Sequence, residues 1–347
     1  GADAAARLGD RLAQGRALAE LGTLGRLTGD YPGAGRSLRA ALEVYREVDD
    51  KAEQARVLTE LGTARRQSGD YPAAERDLQA ALGMYREVGD ESGQARALTE
   101  LGIICSIAGG YRDAERRLEA ALELFRRAGD DSGRPRALTE LSELKWLIGD
   151  YQGATRNAEE ALVISGKLGD RLGQANALLR LGKLRRTVGD YQGAVRDQEA
   201  ARQRYRELGA RLGQANALTQ LGEVRSLTGD HEGAARNLEQ SIRTFRELGN
   251  LGNEAHATNY YAAAVRAAGH PARAIGLYRD ALRLAREARQ PDVEATALEG
   301  LGQAYLGERE FRDGTACLRQ ALKIYRRLGM PAAAQVTERL AEIGAPE

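Results

Sequence analysis

One position returns through most of this chain at a fixed interval. Asp10, Asp50, Asp90, Asp130 and Asp170 stand forty residues apart, and the column continues as Ala210, Asn250 and Gln290. Eight units of forty fill residues 10–329 without an insertion or deletion. Other columns keep the same step. Gly22, Gly62, Gly102, Gly182, Gly222 and Gly302 form one, with Ser142 and Ala262 in its gaps. Ala41, Ala81, Ala121, Ala161, Ala201, Ser241, Ala281 and Ala321 form another. A period of this length marks a repeat architecture, in which each unit is too small to bury its own apolar face and must stack on its neighbours. It also explains a composition of 41 glycines against 7 prolines. Disordered or collagen-like chains are rich in both.

Each unit reads as two helices. In the second unit Asp50 can cap a helix start, with Glu53 completing a capping box. Val57, Leu58, Leu61 and Ala64 then make an apolar stripe at helical spacing. Gly69 breaks that helix, Asp70 caps the next, and Pro72 sits in its first turn, where a missing N–H costs nothing. Ala74, Leu78, Ala81, Leu82 and Tyr85 make the second stripe, and Gly89 ends the helix. The small columns let paired helices approach closely, with the large residues filling the space around them. Nowhere does a two-residue alternation suggest a strand.

These columns resemble the tetratricopeptide repeat. Ala95 to Glu123 carries the resemblance well, with Leu98, Leu101-Gly102, Gly109-Gly110-Tyr111, Ala114, Leu118 and Ala121-Leu122. The usual unit has about thirty-four residues. Six more lengthen the junction here, as in the longer class that includes the kinesin light chains. The resemblance implies an all-α fold, a right-handed superhelix of helix-turn-helix units. Units seven and eight depart most, with His270-Pro271 in place of the Asp-Tyr turn and Arg309 in place of the turn glycine. The phrase Leu168–Leu178, nearly repeated at Leu208–Leu218, is similar to arrays in actinobacterial AfsR-type activators and other STAND regulators with an NB-ARC nucleotide-binding module. There the array is the C-terminal sensing or partner-binding part.

Both ends carry expectations. Arg7-Leu8-Gly9-Asp10 matches the unit junctions, so residues 1–9 are expected to be the tail of a preceding second helix in a longer protein; a short N-terminal cap is the alternative. Residues 330–347 are expected to form a capping helix. Ala332–Ile343 begins like a ninth first helix, but Glu342 stands where a small residue would be needed, so the C-terminus is expected close to Glu347.

Composition narrows the function. Lys+Arg number 51 against 50 Asp+Glu, a net charge of +1, which argues against a dedicated nucleic-acid binder. No apolar run is long enough to span a membrane. Cys105 and Cys317 make no disulfide framework, so a reducing, cytoplasmic setting is expected. No glycine-rich spot has the ending of a nucleotide loop. His231, His256 and His270 lack the spacing of metal ligands. The expectation is therefore no enzyme activity, no cofactor and no metal.

By the resemblance, first helices line the binding side. The columns there read Arg16, Arg56, Arg96, Arg136, Asn176, Asn216 and Glu20, Glu60, Glu100, Glu140, Arg180, Gln220. Each Arg–Glu pair is spaced i,i+4, which admits a plain solvated ion-pair face worth tenths of a kcal/mol per pair. It also admits a charged track for an extended peptide, with Asn176 and Asn216 holding backbone groups. Glu60, Glu100 and Glu140 would repel a C-terminal carboxylate. Ile103, Ile107, Leu179 and Trp146, the only tryptophan, add an apolar patch. Trp146 stands in a column that is largely arginine, at Arg26, Arg66, Arg186 and Arg266, and is either an anchor for a partner or core. The candidate site is thus Arg56, Arg96, Glu100, Ile103, Ile107, Arg136, Glu140, Trp146, Asn176, Leu179, Arg186 and Asn216, centred on units three to five. The expected role is a protein- or peptide-binding module of a larger bacterial signalling or transcriptional regulator. An intramolecular autoinhibitory or oligomerisation scaffold, an enzyme's accessory domain and a small-molecule sensor stand as alternatives.

Overall fold

The computed structural model describes residues 2–344. Among them are seventeen helices and no strand. They run α1 (Ala2–Thr28), α2 (Tyr31–Glu47), α3 (Lys51–Gln67), α4 (Tyr71–Val88), α5 (Glu91–Ile107), α6 (Tyr111–Ala128), α7 (Arg134–Leu147), α8 (Tyr151–Leu168) and α9 (Arg171–Thr187). Then follow α10 (Tyr191–Glu207), α11 (Arg211–Leu227), α12 (His231–Glu247), α13 (Leu251–Ala267), α14 (Pro271–Glu287), α15 (Pro291–Gly307), α16 (Phe311–Leu328) and α17 (Ala332–Glu342). They form two compact units, Gly1–Arg180 and Leu181–Glu347, divided within α9.

Helix starts and stops follow local chemistry. The Asp50 carboxylate accepts the Glu53 amide at 3.1 Å, Asp70 that of Ala73 at 3.2 Å and Asp90 that of Gly93 at 2.8 Å. Each satisfies one of the orphan donors of a helix N-terminus. The reciprocal half of the expected capping box is not made, because the Glu53 side chain pairs with Arg56 at 2.6 Å. Asp130 does not cap α7 either; it accepts the Ser132 amide at 3.0 Å, and the helix opens at Arg134 behind Gly133. Pro135 sits in the first turn of α7, where its missing N–H costs nothing. Gly89 closes α4 at φ 74°, in the left-handed region that a glycine enters without steric cost. Asp49, Arg289 and Arg309 adopt the same region without that freedom, at φ 54°, 54° and 64°.

α1 departs from the sequence pattern. It runs unbroken through Gly9 and Asp10, where the spacing predicts a junction. At the other junctions the turn is held between two helix pairs. Here the described residues include no preceding pair to hold it, and continuing a helix costs less than breaking it. Residue 1 of the expected tail and residues 345–347 of the expected capping segment lie outside the described residues.

Packing follows the columns. In the first unit α1 packs on α2, α3 on α4, α5 on α6 and α7 on α8; α2, α4 and α6 also meet the first helix that follows, and α1, α3, α5 and α7 touch in succession. The core carries Leu38, Leu58, Leu61, Leu78, Tyr85 and Leu101, then Leu118, Phe125, Leu138 and Leu144. A Cβ on Gly62 would lie 2.6 Å from Leu78 Cγ, so that column must stay small. Where Ser142 fills the same column its hydroxyl donates to the Ala154 carbonyl at 2.8 Å. In the second unit, α10 to α16 pack in the same order. There α17 lays Val336 and Leu340 over Leu318, Leu322 and Tyr325.

Candidate functional site

The first helices of the first unit bring their charged columns together, in a different pairing from the one the spacing suggests. Arg26 Nε donates to Glu60 at 2.9 Å and Arg66 Nε to Glu100 at 2.8 Å, both links running from one first helix to the next. Arg136 closes on Glu100 from the other side. Arg96 lies 3.7 Å from Asp90 and 3.6 Å from Asp130. Arg56 pairs with Glu53. Side-by-side first helices put residues about one repeat apart closer than residues one turn apart.

Glu100 is the centre of this ladder. Only 4 % of it is exposed, and burial alone would push its carboxyl pKa up. Arg136, Arg66 and Arg26 outweigh that and hold it below the ordinary carboxylate value. Glu100 in turn raises the Arg136 guanidinium. A buried carboxylate between two guanidiniums is a fixed, fully charged element rather than a proton carrier.

Two cavities open along these helices. The smaller, about 230 Å³, lies over α3, α5 and α7 and takes in Thr59, Glu60, Arg96, Thr99, Glu100 and Arg136. The larger, about 330 Å³, lies between α7 and the start of α9, lined by Pro135, Thr139, Glu140, Leu172, Asn176 and Leu179 among others. They share Ser132 and Arg136, so they adjoin. Of the sequence-selected residues, Arg96, Glu100, Arg136, Glu140, Asn176 and Leu179 meet here. Arg56 stands apart from both cavities. Ile103 is buried, Ile107 is half exposed and Trp146 is partly buried; none of the three lines either cavity. Arg186 and Asn216 belong to the second unit. There Arg186 pairs with Glu223 at 3.0 Å, and Asn216 is partly buried.

The candidate residues chosen from the sequence leave out Ser132, Thr139, Leu172 and Arg180, the last named only as a member of its column. The threonine column Thr59, Thr99, Thr139, three residues beyond the arginines, was the available signal. So was Arg180, which breaks the glutamate column and pairs with Glu143. The second unit has its own hollow, about 360 Å³, lined by Glu239, Arg243, Tyr261 and Arg283 among others. Among the described residues no group of three His, Cys, Asp or Glu side chains could hold a metal. No helix among them is long and apolar enough to cross a membrane.

The model of a family described as tetratricopeptide repeat matches residues 4–87, 89–165 and 173–247. Among solved structures, the chain is similar to a STAND protein, a signal transduction ATPase with numerous domains, that has a tetratricopeptide repeat sensor, from Pyrococcus horikoshii. The TM-score is 0.65 at 16% identity, over 95% of this chain and 50% of that one. It therefore spans about half the length of that protein. It is also similar to a Rap protein complexed with Competence and Sporulation Factor, with a TM-score of 0.66 at 14% identity over 99% and 98% of the two chains. Aspartyl phosphate phosphatase F from Bacillus subtilis gives 0.61 at 11% identity over 82% and 75%. At these identities the likeness is one of fold. No curated protein matches the sequence.

Proposed function

The chain belongs to the tetratricopeptide repeat family, and from that premise we propose that it is a non-catalytic module whose first unit holds an extended segment of a partner protein along α3, α5, α7 and α9. Tetratricopeptide arrays serve as protein-interaction modules, so the open question is where this one binds and what it prefers. The observation that carries the reading is the adjoining pair of cavities on the first-helix face. Between them they offer four arginines, three glutamates, four threonines and Asn176. Arg136, at the junction, is pinned to buried Glu100 and so is presented in a fixed direction. Preorganised charge of this kind fixes the register of a bound chain more than it adds raw affinity. The partner is a protein or peptide, not nucleic acid or membrane.

The wider setting we infer is a larger bacterial signalling or transcriptional regulator of the STAND type, working in the cytoplasm, with this chain as its sensing part. The likeness to the STAND protein over 95% of this chain supports that setting, as does the same fold in a Rap protein complexed with Competence and Sporulation Factor. The same STAND likeness favours a second reading, in which the bound segment belongs to the regulator itself and holds it inactive.

Photo-crosslinking tests the face. Benzophenone-bearing residues at positions 96 and 176 should yield partner adducts in lysate of the source organism. The same group at positions 79 and 116, on the exposed sides of α4 and α6, should yield none. Adducts only from 79 and 116 would place binding on the second helices and sink the reading.

A further inference from the structure

One rung of the glutamate ladder, Glu140, lacks the cross-helix guanidinium that Glu60 and Glu100 receive, and feels Arg136 of its own helix instead. Glu60 receives Arg26, and Glu100 receives Arg66 from the repeat before and Arg136 from the repeat after. Glu140 is the next member of that column. The position that supplies Arg26 and Arg66 is Ser106 ahead of it, and the position that supplies Arg136 is Asn176 behind it. Glu140 therefore gets a guanidinium from neither neighbour.

The larger cavity lies where the second of those arginines would reach. Asn176 is short at the place where Arg136 is long, and the space of about 330 Å³ opens beside it and Glu140. The other charges there are already used. Arg136 is held by Glu100, Arg180 by Glu143, and Asp170 accepts the Gly173 amide at 2.9 Å. Pro135, Leu172 and Leu179 supply apolar wall. A basic side chain matches that shape, since it buries a hydrocarbon stem and ends in a cation. The volume sits at the small end of ligand sites, suited to one side chain rather than a whole molecule.

We propose that the cavity between α7 and α9 is a receptor for a single arginine or lysine side chain of the bound segment, whose cation takes on Glu140 the place that Arg136 takes on Glu100. This rests on the peptide-binding reading above and names the residue class it selects. Arginine is the better fit, because its planar fork can bridge both carboxylate oxygens.

Panning a random heptapeptide library against the full chain tests it. The recovered peptides should share Arg or Lys at one position. For one such peptide, Glu140→Gln should weaken binding at least tenfold. Asn176→Arg, which supplies the absent guanidinium from within, should do the same. Replacing the basic peptide residue by Gln should cost tenfold against the wild-type chain and nothing further against Glu140→Gln. The tenfold cost against the wild-type chain is read without any protein variant, so it holds even if a variant folds poorly. Peptides recovered without a shared basic residue, or bound equally by Glu140→Gln, overturn the receptor and leave peptide binding standing. Recovery of no peptide at all overturns both.

Discussion

Replacing Glu100 by Gln keeps its shape and removes its charge, which isolates what the carboxylate does for the stack. Glu100 is 4 % exposed, and the Arg66 side chain beside it 15 %. With the carboxylate gone, Arg66 is left as a charge largely out of water. Removing one partner of a buried pair costs about 3–5 kcal/mol. Arg136 is half exposed and can turn to solvent, so the low end applies, about 3 kcal/mol. Arg136→Gln alone should cost about 1 kcal/mol or less, as for exposed pairs. Adding Arg66→Met to Glu100→Gln removes the stranded charge and should recover most of the loss. Stacked repeats need not unfold in one step, so the assay is amide hydrogen exchange in α5 and α7. A loss of about 3 kcal/mol appears there as roughly hundredfold faster opening. Exchange within twofold of wild type, or a double variant worse than the single one, would refute the idea that this buried pair holds the first helices together.

Three further outcomes follow from the same structure. Glu100 has a folded pKa below its ordinary value of 4.5, so its contribution is fully present above that value and is lost as pH falls through the folded one. Burial holds Asp77 and Asp197 up and acts in the opposite sense; the stability difference between wild type and Glu100→Gln, followed by urea titration down to about pH 3, should therefore shrink on acidification. Arg309→Gly relieves a left-handed backbone at φ 64° and should stabilise by about 1 kcal/mol; a lower melting temperature would contradict it. Ala121 is fully buried between helices, so Ala121→Leu should overpack the stack by about 1–3 kcal/mol, and unchanged thermal unfolding would show that the column does not lie at a packing contact.

The fold was legible because the period carries its own punctuation. Asp50, Asp70 and Asp90 cap where the pattern puts them, and Gly62 lies against Leu78 as the small column requires. The charge pairing was not legible, since it depends on how neighbouring helices line up. Glu100 is four residues from Arg96 in sequence but is bonded to Arg66 and Arg136. The same geometry separates the apolar residues read as one patch. Ile103 turns into the stack while Ile107, one turn on, faces out. Asn176 could be picked out as polar and groove-facing, but not as the short residue beside a cavity. That follows only from seeing Arg136 reach across to Glu100 one repeat earlier.

The central claim is that a partner segment lies along the first helices of the first unit. A crystal structure of the chain with the fragment recovered by photo-crosslinking from position 176 tests it most directly. The complex should show an extended segment over α5, α7 and the start of α9, with a basic side chain between Leu172 and Leu179 and its cation on Glu140. A segment seated instead in the hollow lined by Arg243 and Arg283 of the second unit, or along the outer sides of α4 and α6, would contradict it.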